Sequence, residues 1–321
     1  MKKLAVAMIS LAVMASTAAM AQDKWPSKTI KLIVPYAPGG YTDLTARITA
    51  RFLEKDLGQT VVVENKAGAG GIVGTDIVAK SPPDGYTFCV CSVGAVSVAP
   101  VAQSVQYNPL KDLAPISIVS TIPQTVIINP KLPIKTIPEL IAYAKANPGK
   151  LTYGSSGAGG LMHYSVQLFD TRTGTRMVHV PFKGGAPATA AVVAGEVDLS
   201  FTNMTDALPQ MEAGTVRGIA VTSSARSPFT PDLPTVEETG VRDFSVESWN
   251  GIIAPPGTPK PIIDRMSAAL KKMSEDPEVK EALAKIGASP VFTTPEQYQA
   301  AIAKEVGQWT DLMKEIKDKK N

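Results

Sequence analysis

The chain has 321 residues, with 32 Lys and Arg against 29 Asp and Glu, so its formal net charge is +3. No basic cluster stands out and only 6% of the residues are aromatic, which argues against a nucleic-acid-binding surface. The length allows a large buried core and favours two domains over one.

The N-terminal segment has the pattern of a secretory signal peptide. Lys2 and Lys3 precede a run of apolar and small residues from Leu4 to Met20, and Ala19-Met20-Ala21 is an A-x-A site. This pattern predicts cleavage after Ala21, so that residues 1–21 are removed. No later stretch of the sequence is apolar enough to span a bilayer. We therefore expect an exported, soluble protein.

The segment 31–47 predicts a strand, a glycine turn and a helix. An apolar run ends at Pro35, Pro38-Gly39-Gly40 forms the turn, and Thr42 or Asp43 is suited to cap the helix. The first N–H groups of a helix are unpaired, and the helix dipole is positive there. This end can therefore bind an anion without Lys or Arg. An ordinary strand–helix turn remains the alternative.

The rest of the chain alternates strands and helices, which is typical of a parallel-sheet α/β protein. The predicted strands are 61–63, 86–92, 116–119, 126–128, 151–154, 177–180, 197–201, 216–221 and an extended stretch at 244–254. Helices are predicted to follow most of these strands, among them 138–147, 187–194 and 206–211. The last helix has a capping box, with Thr294 as N-cap, Pro295 in its first turn and Gln297.

Glycine-rich turns before helices recur at 38–43, 68–74 and 154–163. Ligands of open α/β sheets bind outside the carboxyl ends of the strands, where such turns lie. Two of these sites that face each other across a cleft would hold a molecule with an anion at each end.

Two enzymatic interpretations fit poorly. The turn at 68–74 has the spacing G-x-G-x-x-x-G, one residue longer than a dinucleotide loop, and no acidic residue ends the following strand. The segment Gly154-Ser155-Ser156-Gly157 invites a serine-hydrolase interpretation, but Ala158 breaks the G-x-S-x-G pattern. His163 then lies in the adjoining helix, where it either lines a cleft or packs in the core.

The two cysteines, Cys89 and Cys91, lie two residues apart in one predicted strand. Residues so placed in an extended strand are roughly 7 Å apart, too far for an undistorted disulfide, so we expect core thiols. The two histidines, His163 and His179, are not spaced from the cysteines in the way that metal ligands are. The sequence therefore predicts neither a metal site nor a cofactor.

These motifs together resemble the extracytoplasmic substrate-binding subunits of tripartite tricarboxylate transporters, the Bug family of Proteobacteria. The resemblance covers the whole mature chain. It rests on VPYAPGGYTDLTAR (34–47), VVVENKAGAGGIVGT (61–75), SPPDGYT (81–87), YGSSGAGGLMH (153–163), HVPFKGGAPA (179–188), GEVDLSF (195–201), LPTVEETG (233–240) and WNGIIAPPGTP (249–259).

The resemblance implies a two-lobed periplasmic-binding-protein fold of type II, a Venus flytrap with two α/β lobes joined by two crossing strands. The crossings would fall near 121–124 and 243–249. Lobe 1 would then contain residues 22–122 and 247–321, and lobe 2 residues 123–246.

The resemblance also implies a binding site made mostly of backbone groups. In the first lobe the loop 38–43 would hold a carboxylate through main-chain N–H groups and ordered waters. The site residues expected from that lobe and the crossings are Tyr36, Gly39, Gly40, Tyr41, Thr42, Asp43, Ser92 and Trp249. Those expected from the second lobe are Ser155, Ser156, Gly159, Gly160, Leu161, His163, Phe182, Lys183, Gly184, Thr202 and Asn203.

The chain departs from the family pattern G-x-G-S-x-x-H-L at Gly160, which lacks the common hydroxyl, and at Leu161. It also departs at Tyr41, where the residue is often smaller. Asp43 has a second interpretation, as a helix cap that pairs with Arg47. Trp249 also has one, as a residue that packs between the lobes.

The function implied is that of a non-enzymatic periplasmic protein, a monomer, that binds an organic carboxylate. It would deliver this solute to the large and small integral-membrane components of a transporter. The aromatic residues favour an acid of the phthalate type, such as terephthalate, and an aliphatic acid is the alternative. An exported hydrolase using Ser155 and Ser156, or a signalling receptor of the same fold, are competing functions.

Overall fold

The computed structural model describes residues 25–318. The predicted signal peptide, residues 1–21, lies outside the described residues. None of the helices in the described part combines the length and the hydropathy that crossing a membrane requires.

The strands follow the predicted apolar runs closely. They are β1 (Ile30–Val34), β2 (Val61–Asn65), β3 (Thr87–Ser92), β4 (Ala114–Ile128), β5 (Thr152–Ser155), β6 (Val178–Pro181), β7 (Leu199–Asn203), β8 (Arg217–Val221), β9 (Glu247–Ala254) and β10 (Ser289–Pro290).

The helices alternate with these strands, as predicted. They are α1 (Tyr41–Leu57), α2 (Ile72–Ala79), α3 (Ala99–Ala102), α4 (Ile137–Ala146), α5 (Leu161–Thr173), α6 (Gly185–Ala194), α7 (Met204–Glu212), α8 (Lys260–Glu275), α9 (Pro277–Ala284) and α10 (Pro295–Asp318). A 3-10 turn, Ala69–Gly71, precedes α2, and a π-helical turn, Gly94–Val98, precedes α3.

Two groups of parallel strands are joined through the antiparallel strands β9 and β4. The spatial order is β2-β1-β3-β9-β4-β7-β5-β6, with β8 and β10 also paired to β4. Strand β1 runs parallel to β2 and β3, and β5 runs parallel to β6 and β7. Strands β4 and β9 run antiparallel to their neighbours, so the sheet is mixed rather than fully parallel. The result is a two-lobed α/β fold, with a first lobe built on β1–β3 and a second lobe built on β5–β7.

Strand β4 corrects one prediction. The apolar runs 116–119 and 126–128 form one 15-residue strand that passes through Pro123. Pro123 lies where the antiparallel partner changes, since β9 pairs as far as Pro123 and β7 begins to pair at Gln124. A missing backbone N–H is tolerated best at such an interruption of a ladder. The strand thus runs from one lobe into the other, while the predicted lobe boundaries stay a prediction.

Helix α1 starts earlier than predicted. Its N-cap is Gly40, which makes no side-chain cap, rather than Thr42 or Asp43. Asp43 lies in the first turn, where its carboxylate accepts from the N–H of Gly39 and from both Nε and Nη2 of Arg47. The buried face includes Leu53, which is fully buried and worth about 2 kcal/mol of apolar transfer. This face fixes α1 against its lobe and directs the helix start toward the other lobe.

Two further local predictions have opposite outcomes. The capping box of α10 is confirmed: the Thr294 N–H donates to Gln297 Oε1 at 2.9 Å, and the Gln297 N–H donates to Thr294 Oγ1 at 3.2 Å. The prediction of two free thiols was wrong, since Cys89 and Cys91 form a disulfide. Their Cα atoms are 5.3 Å apart, closer than in an ideally extended strand, and this distance is within the range that a disulfide spans.

Candidate functional site

A small cavity lies between the lobes, where helix starts and strand ends of both lobes meet. Its volume is about 30 Å³. The first lobe and the strands between the lobes contribute Tyr36, Ala37, Gly40, Tyr41, Thr42, Ser92, Gln124 and Ser248. The second lobe contributes Ser156, Leu161, Met162, Gly185, Asn203 and Asp206.

The start of α1 forms the donor side of the cavity. Tyr41 and Thr42 are the first residues of the helix, so their N–H groups have no acceptor within it. The N–H of Gly39 is already used, because it donates to Asp43 Oδ2 at 2.9 Å. The positive end of the helix dipole adds to the pull on an anion placed here.

Buried hydrogen bonds hold the side chains of this wall in place. The hydroxyl of Tyr36 lies 2.8 Å from that of Ser92 and donates to the carbonyl of Gly70 at 2.9 Å. The hydroxyl of Tyr41 lies 2.8 Å from that of Ser120. Burial raises the pKa of Tyr36 to about 12, so this phenol stays neutral. Tyr36 and Tyr41 are thus residues of the cavity wall whose hydroxyl groups are hydrogen-bonded inside the core.

The second lobe contributes the turn before α5. Ser156 and Leu161 line the cavity, whereas Ser155 is fully buried behind it. The Oγ of Ser155 accepts from the N–H of Gly157 and lies 2.6 Å from His179 Nε2. Burial lowers the pKa of His179 to about 4, so its imidazole is neutral at neutral pH.

His163 belongs to this group rather than to the cavity lining. Its ring stacks on that of His179, with centroids 4.0 Å apart, and its Nδ1 accepts from the N–H of Gly159 at 3.3 Å. The stack thus orders the glycine-rich turn from behind.

Three polar groups at the cavity are buried without full hydrogen bonding. Gln124 Nε2 and Asn203 Oδ1 have no partner among the described residues. Asp206 is 7% exposed, and among the described residues the one hydrogen bond to its carboxylate is a long one of 3.4 Å from Thr202 Oγ1. Burial raises the pKa of Asp206 to about 7. Because unpaired buried polar groups are costly, their convergence on one cavity marks a ligand-binding site.

The two lobes touch around this cavity. The N–H of Ala37 donates to the carbonyl of Lys183 at 2.9 Å, and Gln103 Nε2 donates to the carbonyl of Ala158 at 3.3 Å. Gly70 has φ +66°, and a Cβ there would come within 2.7 Å of the Ala158 carbonyl oxygen. The turn at 68–74 therefore packs against the other lobe and lies outside the cavity lining.

Comparison with known proteins agrees with this architecture. Residues 45–317 match the model of the tripartite tricarboxylate transporter family receptor. The chain belongs to this receptor family. The protein BugT of Bordetella pertussis is 38% identical over 318 residues, which cover 97% of this chain and 96% of BugT.

Solved structures of similar proteins have the same two-lobed periplasmic-binding-protein fold. The periplasmic binding protein BugD is 37% identical with a TM-score of 0.88, and the match covers 91% of this chain and 98% of BugD. MatC from Rhodopseudomonas palustris, solved with bound malate, is 32% identical with a TM-score of 0.86, covering 89% and 99%. An R. palustris protein solved with adipate is 33% identical with a TM-score of 0.88, covering 91% and 98%. The Bug-family resemblance and the type II fold that the sequence predicts are thus confirmed.

The structure of this receptor brings eight of the predicted site residues together around the cavity. They are Tyr36, Gly40, Tyr41, Thr42, Ser92, Ser156, Leu161 and Asn203. Eleven predicted residues do not line it: Gly39, Asp43, Ser155, Gly159, Gly160, His163, Phe182, Lys183, Gly184, Thr202 and Trp249. Most of these support the lining residues. Trp249 instead donates to Glu305 Oε1 at 2.8 Å and packs edge-on against Tyr298. Whether each predicted residue contacts solute stays a prediction.

Six lining residues are missing from the sequence-based site: Ala37, Gln124, Met162, Gly185, Asp206 and Ser248. For Asp206 a signal existed, since it lies in the first turn of a helix directly after a strand, as Asp43 does. That helix start lacks the glycine-rich turn by which the other sites were found. Within residues 25–318 no group of three or more His, Cys, Asp or Glu residues is placed to hold a metal ion.

Proposed function

We propose that this receptor captures an organic carboxylate in the periplasm and delivers it to the two integral-membrane components of a tripartite tricarboxylate-type transporter. The observation that carries the proposal is the cavity between the lobes, where the N–H groups of Tyr41 and Thr42 start a helix. These donors suit a carboxylate, and similar proteins solved with malate and with adipate support the same class of solute.

The proposed processing, oligomeric state and domain organisation of the protein follow from the same role. The signal peptide, residues 1–21, is removed on export, and the mature chain acts as a monomer without catalysing a reaction. Lobe 1 consists of 22–122 and 247–321, and lobe 2 of 123–246. The passage of β4 between the two groups of parallel strands supports this division.

The finer proposal concerns the body of the solute, a dicarboxylate or an aromatic acid of the terephthalate or phthalate type. The presence of two aromatic residues, Tyr36 and Tyr41, among the residues that line the cavity supports an aromatic acid. Ring stacking contributes about 0.5–1.5 kcal/mol beyond area burial. Terephthalate should therefore bind up to about tenfold more tightly than an aliphatic diacid of similar span.

The test is a thermal-shift screen of the mature protein against mono- and dicarboxylic acids, followed by calorimetry on each acid that raises the melting temperature. Amides or methyl esters of the same acids are the matched controls. Backbone donors at a helix start favour the anion, so the free acid should bind at least about tenfold more tightly than its neutral analogue. Equal binding of acid and ester would contradict a carboxylate receptor.

A hydrolase is the second candidate, because Ser155 Oγ lies 2.6 Å from His179 Nε2. Three features oppose it. Ser155 is fully buried, its oxygen is also bonded to Gly157, and His179 makes no hydrogen bond to a carboxylate among the described residues. A catalytic serine needs an exposed oxygen and an oriented base. Turnover of p-nitrophenyl esters that is lost in Ser155→Ala would favour the hydrolase.

A further inference from the structure

Asp206 is the one carboxylate among the lining residues of the cavity. It lies in the first turn of α7, directly after β7, and only 7% of the residue is exposed. None of the ion pairs between described residues includes it. A buried carboxylate without a cation is costly, and proteins normally pair such a group.

The neighbours of Asp206 provide few hydrogen bonds to its carboxylate. Thr202 Oγ1 donates at the long distance of 3.4 Å, and it also accepts from Thr189 Oγ1 at 3.1 Å. Facing it from the first lobe is Gly40, where a Cβ would lie 3.4 Å from Asp206 Oδ1. On the side of α6, Gly185 lies against the carboxylate and has no side chain to contribute.

Two basic residues on the elements that face Asp206 form no ion pair with it in the described structure. Arg47 at the start of α1 is committed to Asp43 through two hydrogen bonds. Lys183, in the loop before α6, has an exposed side chain and is outside the cavity lining. The carboxylate therefore faces the space between the lobes with unused acceptor capacity.

A second unpaired acceptor belongs to the N-cap residue of α7, three positions before Asp206. Asn203 Oδ1 is buried, lines the same cavity and has no partner in the described structure. Hydrogen-bond donors lie elsewhere in the cavity. They are the N–H groups of Tyr41 and Thr42 and the Nε2 of Gln124. The cavity thus has a side for an anion and a side for a hydrogen-bond donor.

We propose that the solute carries a protonated amine as well as a carboxylate, and that Asp206 with Asn203 binds the ammonium group. This inference rests on the proposed function, because the carboxylate of the same solute occupies the start of α1. An ammonium group has three N–H donors and a positive charge, so it satisfies both acceptors and neutralises the buried carboxylate. A dicarboxylate without nitrogen, terephthalate included, brings a like charge toward Asp206 and leaves it unpaired. Within the class of carboxylates proposed above, this inference therefore favours acids that carry an amine. Burial holds the pKa of Asp206 near 7, and a bound cation favours its ionised form.

The experiment compares matched acids that differ only in the amine. The probes are L-aspartate and succinate, L-glutamate and glutarate, and L-phenylalanine and 3-phenylpropanoate. Each is titrated by calorimetry into the mature protein after unfolding and refolding have removed any bound solute. Charge-assisted hydrogen bonds are worth enough for the amine-bearing acid of at least one pair to bind about tenfold or more tighter.

Asp206→Asn keeps the shape of the side chain and removes its charge. Its affinity for the amine-bearing acid should fall at least about tenfold, while its affinity for the plain acid stays equal or rises. Asp264→Asn is the control, since Asp264 lies on α8 and pairs with Lys260 at the surface. This control should leave both affinities unchanged.

The possible results separate the two proposals. Binding of plain acids alone, or equal loss of both acids in Asp206→Asn, would overturn this inference while the carboxylate receptor stands. Failure of every probe to bind would count against both proposals. A preference for the amine-bearing acid that Asp206→Asn removes supports both.

Discussion

The backbone N–H of Ala37 donates a 2.9 Å hydrogen bond to the carbonyl of Lys183, which joins the loop after β1 to the loop after β6. The two loops belong to different lobes, so this bond closes the cleft directly. The cavity that remains has a volume of about 30 Å³. A space this small holds a few water molecules at most, so a dicarboxylate enters only when the lobes separate.

The first prediction is therefore a change of shape on binding. The lobes are in contact around the cavity, and the ligand-free protein in solution should be more open, since two lobes joined by a hinge can close around a ligand. Small-angle scattering should give a smaller radius of gyration with a solute confirmed by calorimetry than without it. The same titration with an amide of that solute is the control. An unchanged radius of gyration would contradict closure.

The second prediction concerns Gly40, the N-cap of α1. Its φ of −87° and ψ of 177° suit any residue, so Gly40→Val should fold normally. A Cβ at this position lies 3.4 Å from Asp206 Oδ1 and 3.6 Å from the N–H nitrogen of Ala186. The branched methyl groups then fill the cleft and keep the helix start from a solute. We expect at least a roughly hundredfold loss of affinity by calorimetry, or about 3 kcal/mol.

Gly307→Val is the matched control for that substitution. Gly307 lies on α10 in open space, where an added side chain meets nothing within 4 Å. Its affinity should equal that of the wild type. Circular dichroism checks that both variants are folded, and wild-type affinity in folded Gly40→Val would exclude the start of α1 as the anion site.

The sequence was sufficient for the local parts of this structure. Apolar runs and breakers located the strands, since β1 is Ile30–Val34 as predicted, and the capping box at Thr294 marked the start of α10. These features depend on neighbouring residues alone. The family motifs supplied the two-lobed fold, which periodicity could not, because it depends on which distant strands pair.

The errors at Pro123, in the lining of the cavity and at Trp249 have a common physical origin in contacts between distant segments. Pro123 suggested a break, but it lies where β4 exchanges β9 for β7 as a partner. The roles of Gln124 and Asp206 depend on the meeting of two lobes, which leaves Gln124 Nε2 without a partner and Asp206 in the cavity. Trp249 was expected at the site, yet its indole N–H is held by Glu305 from α10. No local pattern contains such information.

The third prediction distinguishes the two adjacent serines. Ser156 lines the cavity, and Ser155 is buried behind it against Gly157 and His179. Ser156→Ala should weaken solute binding roughly tenfold, because it removes a donor for a carboxylate, with little change in melting temperature. Ser155→Ala should lower the free energy of unfolding by about 1–2 kcal/mol, since it leaves buried groups unpaired. Its solute affinity should change less.

Each serine variant is the control for the other. Calorimetry measures affinity, and urea denaturation measures the free energy of unfolding. The assignment of the two roles would be wrong if Ser155→Ala lost the greater part of the affinity while Ser156→Ala kept it.

The last prediction concerns the pH dependence of stability. Burial raises the pKa of Asp206 from 3.8 to about 7 in the folded protein. Between these values the unfolded chain loses its proton while the folded protein retains it, so the contribution of Asp206 to stability falls as the pH rises. It is fully present below about pH 4 and lost above about pH 7. The slope approaches 1.4 kcal/mol per pH unit at most, or about 2 to 3 kcal/mol between pH 5 and pH 7.

Asp206→Asn has no such titrating proton. The free energy of unfolding is therefore measured for the wild type and for this variant from pH 5 to pH 8, without solute, and the two values are subtracted at each pH. Other groups titrate alike in both proteins and cancel. They include His179, whose pKa burial lowers to about 4.

Asp43 is another such group. Burial raises its pKa, but hydrogen bonds from Arg47, Gly39 and Asn65 together bring that pKa below its usual value. The stability contributed by Asp43 is thus lost only as the pH falls through its lowered pKa.

The wild type should lose stability relative to Asp206→Asn as the pH rises toward 7, and the difference should then level off. A difference that stays constant over this range would show that Asp206 is already ionised at pH 5.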